Sequence, residues 1–139
     1  MPLKIANKKR NYKTNNKTIY SCQYHVIWCT KYRRKVLDTQ IQGRLKQLIR
    51  EKQDAYEYQI YEVETQPEHV HLLIEIPPIH SIDKIVGKIK AYTAKVLREE
   101  YPSLKSRLPS LWTRSKFVSS CGGVTLQVMK DYIEGQSGQ

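Results

Sequence analysis

Residues 69–76 read His-Val-His-Leu-Leu-Ile-Glu-Ile. Side chains alternate across a β-strand, so Val70, Leu72, Ile74 and Ile76 share one face, while His69, His71 and Glu75 point to the other. A strand apolar on one side only calls for a sheet whose helices cover that side alone. The segment is sharply bounded. Gln66-Pro67-Glu68 makes a tight turn before it and Pro77-Pro78 stops it.

The rest of the chain supplies the partners this strand needs. Thr18 to Tyr32 is rich in β-branched and aromatic residues and reads as a first strand. Asp38 can cap a helix with Ile41, Leu45, Leu48 and Ile49 on one stripe. Tyr56 to Gln66 fits a second strand. Ser81 can cap a second helix, with Ile82, Ile85, Val86, Ile89 and Val96 facing inward and Lys84, Lys88 and Lys95 facing water. Tyr101-Pro102 ends that helix. A loop containing Pro109 then leads to a fourth strand from about Leu111 to Ser120. Gly122-Gly123 breaks the chain, and Thr125 can cap a last helix from Leu126 to about Gln136. The order β-α-β-β-α-β-α predicts an α+β, ferredoxin-like (RRM-like) βαββαβ sheet with two helices on one face, the other face left open, and one added C-terminal helix. Residues 1–17 read as a flexible basic arm, and residues 18–139 as a single domain.

Charge narrows the partners. The 139 residues carry 24 Lys and Arg against 13 Asp and Glu, a formal charge of +11. So large an excess in a small domain points to a polyanion, most often nucleic acid. No long apolar run suggests a membrane, and Met1 to Arg10 lacks the apolar segment of a signal peptide, so a cytoplasmic location is expected. Cys22, Cys29 and Cys121 have neither CxxC spacing nor an even count, and read as strand residues rather than a disulfide or zinc framework.

Two imidazoles two residues apart on a strand can converge on one metal ion. Such pairs also occur without metal; their position opposite the core is what favours a site here. Tyr132 is one of ten tyrosines. It precedes Gln136 by four residues, so the two share a helix face. By spacing alone, a core tyrosine beside Met129 and Ile133 is the better fit. His25 is assigned to neither face.

The run Tyr24-His25-Val26-Ile27-Trp28-Cys29-Thr30-Lys31-Tyr32-Arg33-Arg34 resembles the first strand of the single-tyrosine HUH transposases, HUH meaning His-hydrophobic-His. Gln66-Pro67-Glu68-His69-Val70-His71-Leu72-Leu73 resembles their metal motif. Leu111-Trp112 through Phe117-Val118, then Tyr132-Ile133-Glu134-Gly135-Gln136, resemble their last strand and nucleophile helix. These are the small transposases of the two-hundred/six-hundred-five group of insertion sequences, which move as single-stranded DNA. The resemblance covers about Tyr20 to Gln136. One departure is Gly135, where Asn is common in the family.

The resemblance implies that His69, His71 and Gln136 ligate a divalent metal, Mg²⁺ or Mn²⁺, and that Tyr132 is the nucleophile. It implies a homodimer that binds single-stranded DNA hairpins, and a tyrosine helix that can serve the partner's metal site. Cleavage and rejoining would pass through a 5′-phosphotyrosine, which conserves the bond energy and needs no nucleotide cofactor. Lys31, Arg33, Arg34, Lys35, Lys88, Lys90, Arg114 and Lys116 are candidate DNA contacts. Glu64, Glu68 and Glu75 are expected near the histidines, ranked below Gln136 as ligands. Two alternatives stand beside the transposase. One is a non-mobile relative that binds or nicks repeat hairpins. The other is a non-catalytic nucleic-acid-binding module, whose stacking platforms would need aromatic residues where histidines stand.

Overall fold

The structure, a computed structural model, describes residues 13–14, 19–120 and 126–136. Strand β1 (Lys13–Thr14) pairs with β2 (Ile19–Tyr20) in a small ribbon. The main chain then runs β3 (Gln23–Cys29), α1 (Thr39–Glu51), the single-turn α2 (Gln53–Tyr56), β4 (Gln59–Gln66), β5 (His69–Glu75), α3 (Ile82–Glu100), α4 (Pro102–Arg107), β6 (Phe117–Ser120) and α5 (Leu126–Glu134). The sheet order is β4-β5-β3-β6, with every neighbouring pair antiparallel. This is the ferredoxin-like arrangement expected from the element order. The histidine strand, β5, is one of the two central strands. Apart from Lys13–Thr14, the basic stretch 1–17 lies outside the described residues, as do Cys121, Gly122-Gly123 and Thr125.

The apolar face of β5 is the buried one. Val70, Leu72 and Ile74 are fully enclosed, and Ile76 nearly so. Val26 and Trp28 of β3 lie beside Leu72 and Val70 and face the same way. Ile41, Leu45, Leu48 and Ile49 of α1, with Ile85, Val86 and Ile89 of α3, complete the core on that side. Each such side chain contributes about 1.5–3 kcal/mol when fully buried. Asp38 Oδ1 accepts from the Ile41 amide at 2.9 Å and Ser81 Oγ from the Lys84 amide at 3.3 Å. Both helix starts are therefore capped as their sequences predict, each cap being worth about 1 kcal/mol.

Three expected boundaries move. The second strand begins at Gln59 rather than Tyr56, because Gln53–Tyr56 closes a helical turn that ends on Glu57 in the left-handed region (φ 59°). Tyr56 thus lies in a helix. Tyr58 precedes the strand, with its hydroxyl donated to the Ile49 carbonyl. The loop after α3 contains a further helix, α4, started by Pro102, a residue suited to the first turn because no amide donor is needed there. The fourth strand is shorter than Leu111 to Ser120. Trp112 makes one isolated bridge to Thr30, and regular pairing starts at Phe117. Between them, the carbonyls of Thr113, Arg114 and Ser115 all turn to Lys90 Nζ, at 2.7, 3.4 and 3.1 Å. A half-buried ammonium has taken acceptors that a strand would offer to its neighbour.

The second face of the sheet is not left open. Ile27 points to it, beside His71 in the β3–β5 register, yet is only 1% exposed. Helix α5 covers it: Met129 and Ile133 line a cavity together with Ile27. No described helix is long and apolar enough to cross a membrane.

Candidate active site

Strand pairing orders the covered face in rows. Glu64, His71, Ile27 and Phe117 lie side by side across β4, β5, β3 and β6. Neighbouring strands are about 4.8 Å apart, so Phe117 sits roughly 10 Å from His71. Helix α5 lies over this row and divides it into two polar groups.

The first group surrounds the histidines. His69 and His71 border a cavity of about 200 Å³ with Ile27, Glu64, Gln66, Met129, Lys130 and Ile133. His69 Nδ1 meets Glu68 Oε1 at 2.8 Å, which turns Nε2 toward other partners. A carboxylate on the far nitrogen is the usual support for a metal-binding imidazole. His71 Nδ1 lies 3.8 Å from Glu64 Oε2, and its Nε2 lies 3.1 Å from His25 Nδ1. Burial first, and then the neighbouring His25, lower the His71 pKa below the ordinary imidazole value. His71 is therefore neutral at pH 7, the form that can donate a lone pair to a metal.

His25 is thus an open-face residue, a question the sequence left undecided. Its parity was hidden because Ile27 and Cys29, on the same face, are also apolar. Glu75 is a correction. It lies on the histidines' face but four residues further along β5, roughly 13 Å from His71. There its buried carboxylate accepts from the Cys22 amide, from Tyr61 Oη at 3.3 Å and from Gln23 Nε2 at 3.5 Å. It is a structural anchor at the far end of the sheet.

The second group gathers on the β6 side. The Tyr132 ring packs on Phe117 with centroids 5.4 Å apart. Its hydroxyl donates to Ser115 Oγ at 3.5 Å, and Ser115 Oγ donates to Gln136 Oε1 at 2.8 Å. Gln136 is 6% exposed. Helix α5 ends at Glu134, and Gln136 is reached by a final tighter turn, in which the Gly135 amide donates to Asp131 and the Gln136 amide to Ile133. A Cβ at Gly135 would stand 3.4 Å from the Asp131 carbonyl, an ordinary contact. Burial raises the Tyr132 pKa above the ordinary phenol value, and the Ser115 hydrogen bond opposes that rise.

Helix α5 is tethered at its end. After β3 the chain turns through Lys31–Arg33, with Tyr32 and Arg33 in the left-handed region at φ 58° and 52°. Bulky residues rarely adopt that conformation. The turn carries Arg33 Nη1 to 3.2 Å from the Ile133 carbonyl, at the negative end of the helix.

The expected DNA contacts divide accordingly. Arg34, Lys35, Lys88 and Arg114 are exposed. Lys31 Nζ lies 5.1 Å from the Tyr32 ring centroid, and Lys116 pairs with Asp83. Arg114 and Lys116 precede β6 instead of lying in it. Lys90 is corrected: its ammonium is bound to three backbone carbonyls, and burial and nearby Lys116 push its pKa down to about 8. Arg33 likewise spends one guanidinium nitrogen on α5. Ser115, which joins the tyrosine to the glutamine, carries no signal in the sequence; a serine in a polar loop looks like any other.

The donor set fits a divalent ion of intermediate hardness. Three imidazoles, those of His25, His69 and His71, sit on one face, with His69 backed by the Glu68 carboxylate, and the buried Gln136 carboxamide follows the helix that covers them. Among the described residues no three His, Cys, Asp or Glu side chains converge. A metal here would need other donors: the Gln136 carboxamide, water or a phosphate oxygen.

A ferredoxin-like sheet with a His-hydrophobic-His pair on its central strand, covered by a tyrosine-bearing helix, defines the class. The sequence matches the IS200-like transposase family over residues 18–136, and the chain belongs to that family. It is 32% identical over 120 residues to the ISDra2 transposase TnpA of Deinococcus radiodurans, covering 85% of this chain and 86% of that protein. It is 29% identical over 121 residues to the transposase for insertion sequence element IS200 of Salmonella typhimurium, covering 86% and 79%. A crystal structure of a Deinococcus radiodurans R1 protein superposes with a TM-score of 0.84 at 30% identity, over 91% of this chain and 99% of the other. The REP-associated tyrosine transposase, solved bound to a REP hairpin, shares the fold at a TM-score of 0.53 and 15% identity, over 88% and 68%.

Proposed function

We propose that this transposase binds hairpin-forming single-stranded DNA and cuts and rejoins it through Tyr132. The observation that carries the reading is the placement of His69 and His71, on a central strand, beneath the helix that bears Tyr132 and leads into Gln136. In cleavage, the Tyr132 phenol oxygen forms a bond to phosphorus and the bond from phosphorus to the 3′ oxygen breaks. The products are a 5′-phosphotyrosine and a 3′-hydroxyl, which takes up the proton the phenol releases. Rejoining reverses the step with another 3′-hydroxyl. The phenol is protonated at neutral pH, and burial raises its pKa further, so its proton has to leave as the new bond forms.

His69, His71 and Gln136 would hold the divalent ion, Mg²⁺ or Mn²⁺. Such an ion, when bound, offsets the negative charge that builds on the phosphate. All three donors are neutral, so its charge would be left for the DNA. The exposed Arg34, Lys35, Lys88 and Arg114 would contact phosphates, supplying affinity with little sequence information.

In the single chain the histidine cavity is lined by Met129, Lys130 and Ile133, while Tyr132 and Gln136 are engaged at Ser115. The working assembly would be the homodimer that the family resemblance implies.

Labelled hairpin DNA, incubated with the protein and Mn²⁺, should become covalently attached at a peptide containing Tyr132. Tyr132→Phe should lower adduct formation at least about a thousandfold, with DNA affinity nearly unchanged. An undiminished adduct in that variant would overturn the assignment.

A further inference from the structure

Tyr132 and Gln136 meet at one side chain. The Ser115 hydroxyl donates to Gln136 Oε1 at 2.8 Å and accepts from the Tyr132 hydroxyl at 3.5 Å. Its position does not come from strand β6, which begins two residues later. It comes from helix α3, whose Lys90 ammonium binds the carbonyls of Thr113, Arg114 and Ser115 itself. A lysine has three N–H donors, and all three are committed to this loop. The hydroxyl is therefore set by a rigid element of the core.

We propose that Ser115 is a positioning residue for strand transfer, fixing the Gln136 carboxamide through its oxygen and holding the Tyr132 phenol beside it. The inference rests on the reading of Tyr132 as nucleophile and Gln136 as ligand. A carboxamide oxygen has two lone pairs. Ser115 occupies one and leaves the other for a cation. The terminal torsion of glutamine is broad and roughly two-fold, so an unfixed Gln136 would present its NH₂ group as readily as its oxygen. One hydroxyl thereby holds both residues that α5 contributes to the reaction. Side-chain support of this kind is what keeps a ligand or nucleophile in its productive geometry.

The test uses the full chain with labelled hairpin DNA and Mn²⁺, comparing Ser115→Ala, Ser115→Thr and Tyr132→Phe. Ser115→Ala should slow single-turnover adduct formation about tenfold, the size of one neutral hydrogen bond, while DNA affinity stays within about twofold. Ser115→Thr, which keeps the hydroxyl, should restore most of the rate. A second readout needs neither metal nor DNA. With ¹³Cζ-labelled tyrosine, the resonance lost in Tyr132→Phe should titrate at a shifted pH in Ser115→Ala, because the hydrogen bond between the phenol and Ser115 is gone. A full rate and unmoved titration in Ser115→Ala would overturn the proposal. So would a threonine variant as slow as the alanine one, which would mark a packing role. If Tyr132→Phe itself forms adduct normally, the nucleophile reading fails instead, and the Ser115→Ala titration still reports whether the contact exists.

Discussion

The histidine group and the tyrosine–glutamine group lie under the same helix but are built in different ways. His69 and His71 are placed by one strand, and their direction follows from alternation along that strand alone. Their nearest carboxylate, Glu68, is the adjacent residue. Tyr132 and Gln136 depend on three separate segments: α5 carries them, the loop 113–116 meets them, and Lys90 of α3 holds that loop. The contrast teaches that a ligand pair on a central strand is a local property of sequence. A nucleophile on a terminal helix acquires its surroundings only through contacts distant in the chain.

The largest effect that tests this contrast is on the histidine side. The double substitution His69→Ala, His71→Ala should abolish Mn²⁺ binding, a loss beyond the roughly 10–100-fold that outer partners carry, and should leave the fold intact because both side chains face away from the core. Calorimetry measures it directly; undiminished affinity would remove the metal site from these residues.

On the other side, Lys90→Met should disconnect the loop from α3. Its effect has a definite pH signature. Burial holds the Lys90 pKa near about 8 in the folded protein, against 10.5 in its absence. Between those values the unfolded chain binds more protons than the folded one, so this group's contribution to stability rises with pH across that window. Wild-type unfolding midpoints should show the rise and Lys90→Met should lack it. Equal slopes from pH 8 to 10.5 would show that the Lys90 ammonium is not desolvated. The neutral amine also keeps only two N–H donors for three carbonyls, so amide exchange at residues 113–116 should quicken in wild type above pH 8.

The smallest effect is expected at Glu68. Glu68→Gln keeps the shape and removes the charge behind His69. Metal affinity should fall about tenfold, with DNA binding in metal-free buffer unchanged. A fall as large as that of the histidine substitutions would make Glu68 itself a ligand.

Much of the fold was legible because its signals are local. Proline and glycine punctuation, the caps at Asp38 and Ser81, and the one-sided alternation of β5 each act over a few residues and agree with one another. Where the structure departs from these local signals, a distant group intervenes. The fourth strand lost its first half, and Lys90 lost its place among the DNA contacts, through the same event: a half-buried ammonium captured three carbonyls. Glu75 kept its predicted face but not its predicted neighbourhood, because a strand extends about 3.3 Å per residue and four residues carried it to the far edge. His25 was ambiguous because Ile27 and Cys29 mask the alternation of β3, until the covering helix shows why that face is apolar too.

By itself, then, the sequence determined the order of elements, the face on which His69 and His71 stand, and, through its motifs, the family. Tertiary structure alone decided what surrounds them: His25 against His71, Arg33 at the end of α5, and Ser115 between Tyr132 and Gln136. The physical reason is the range of the interactions. Strand parity and helix caps are fixed by dihedral angles and hydrogen bonds a few residues apart. A hydroxyl meeting a phenol 17 residues away, or an ammonium meeting carbonyls 23 to 25 residues away, depends on how the core packs those segments together.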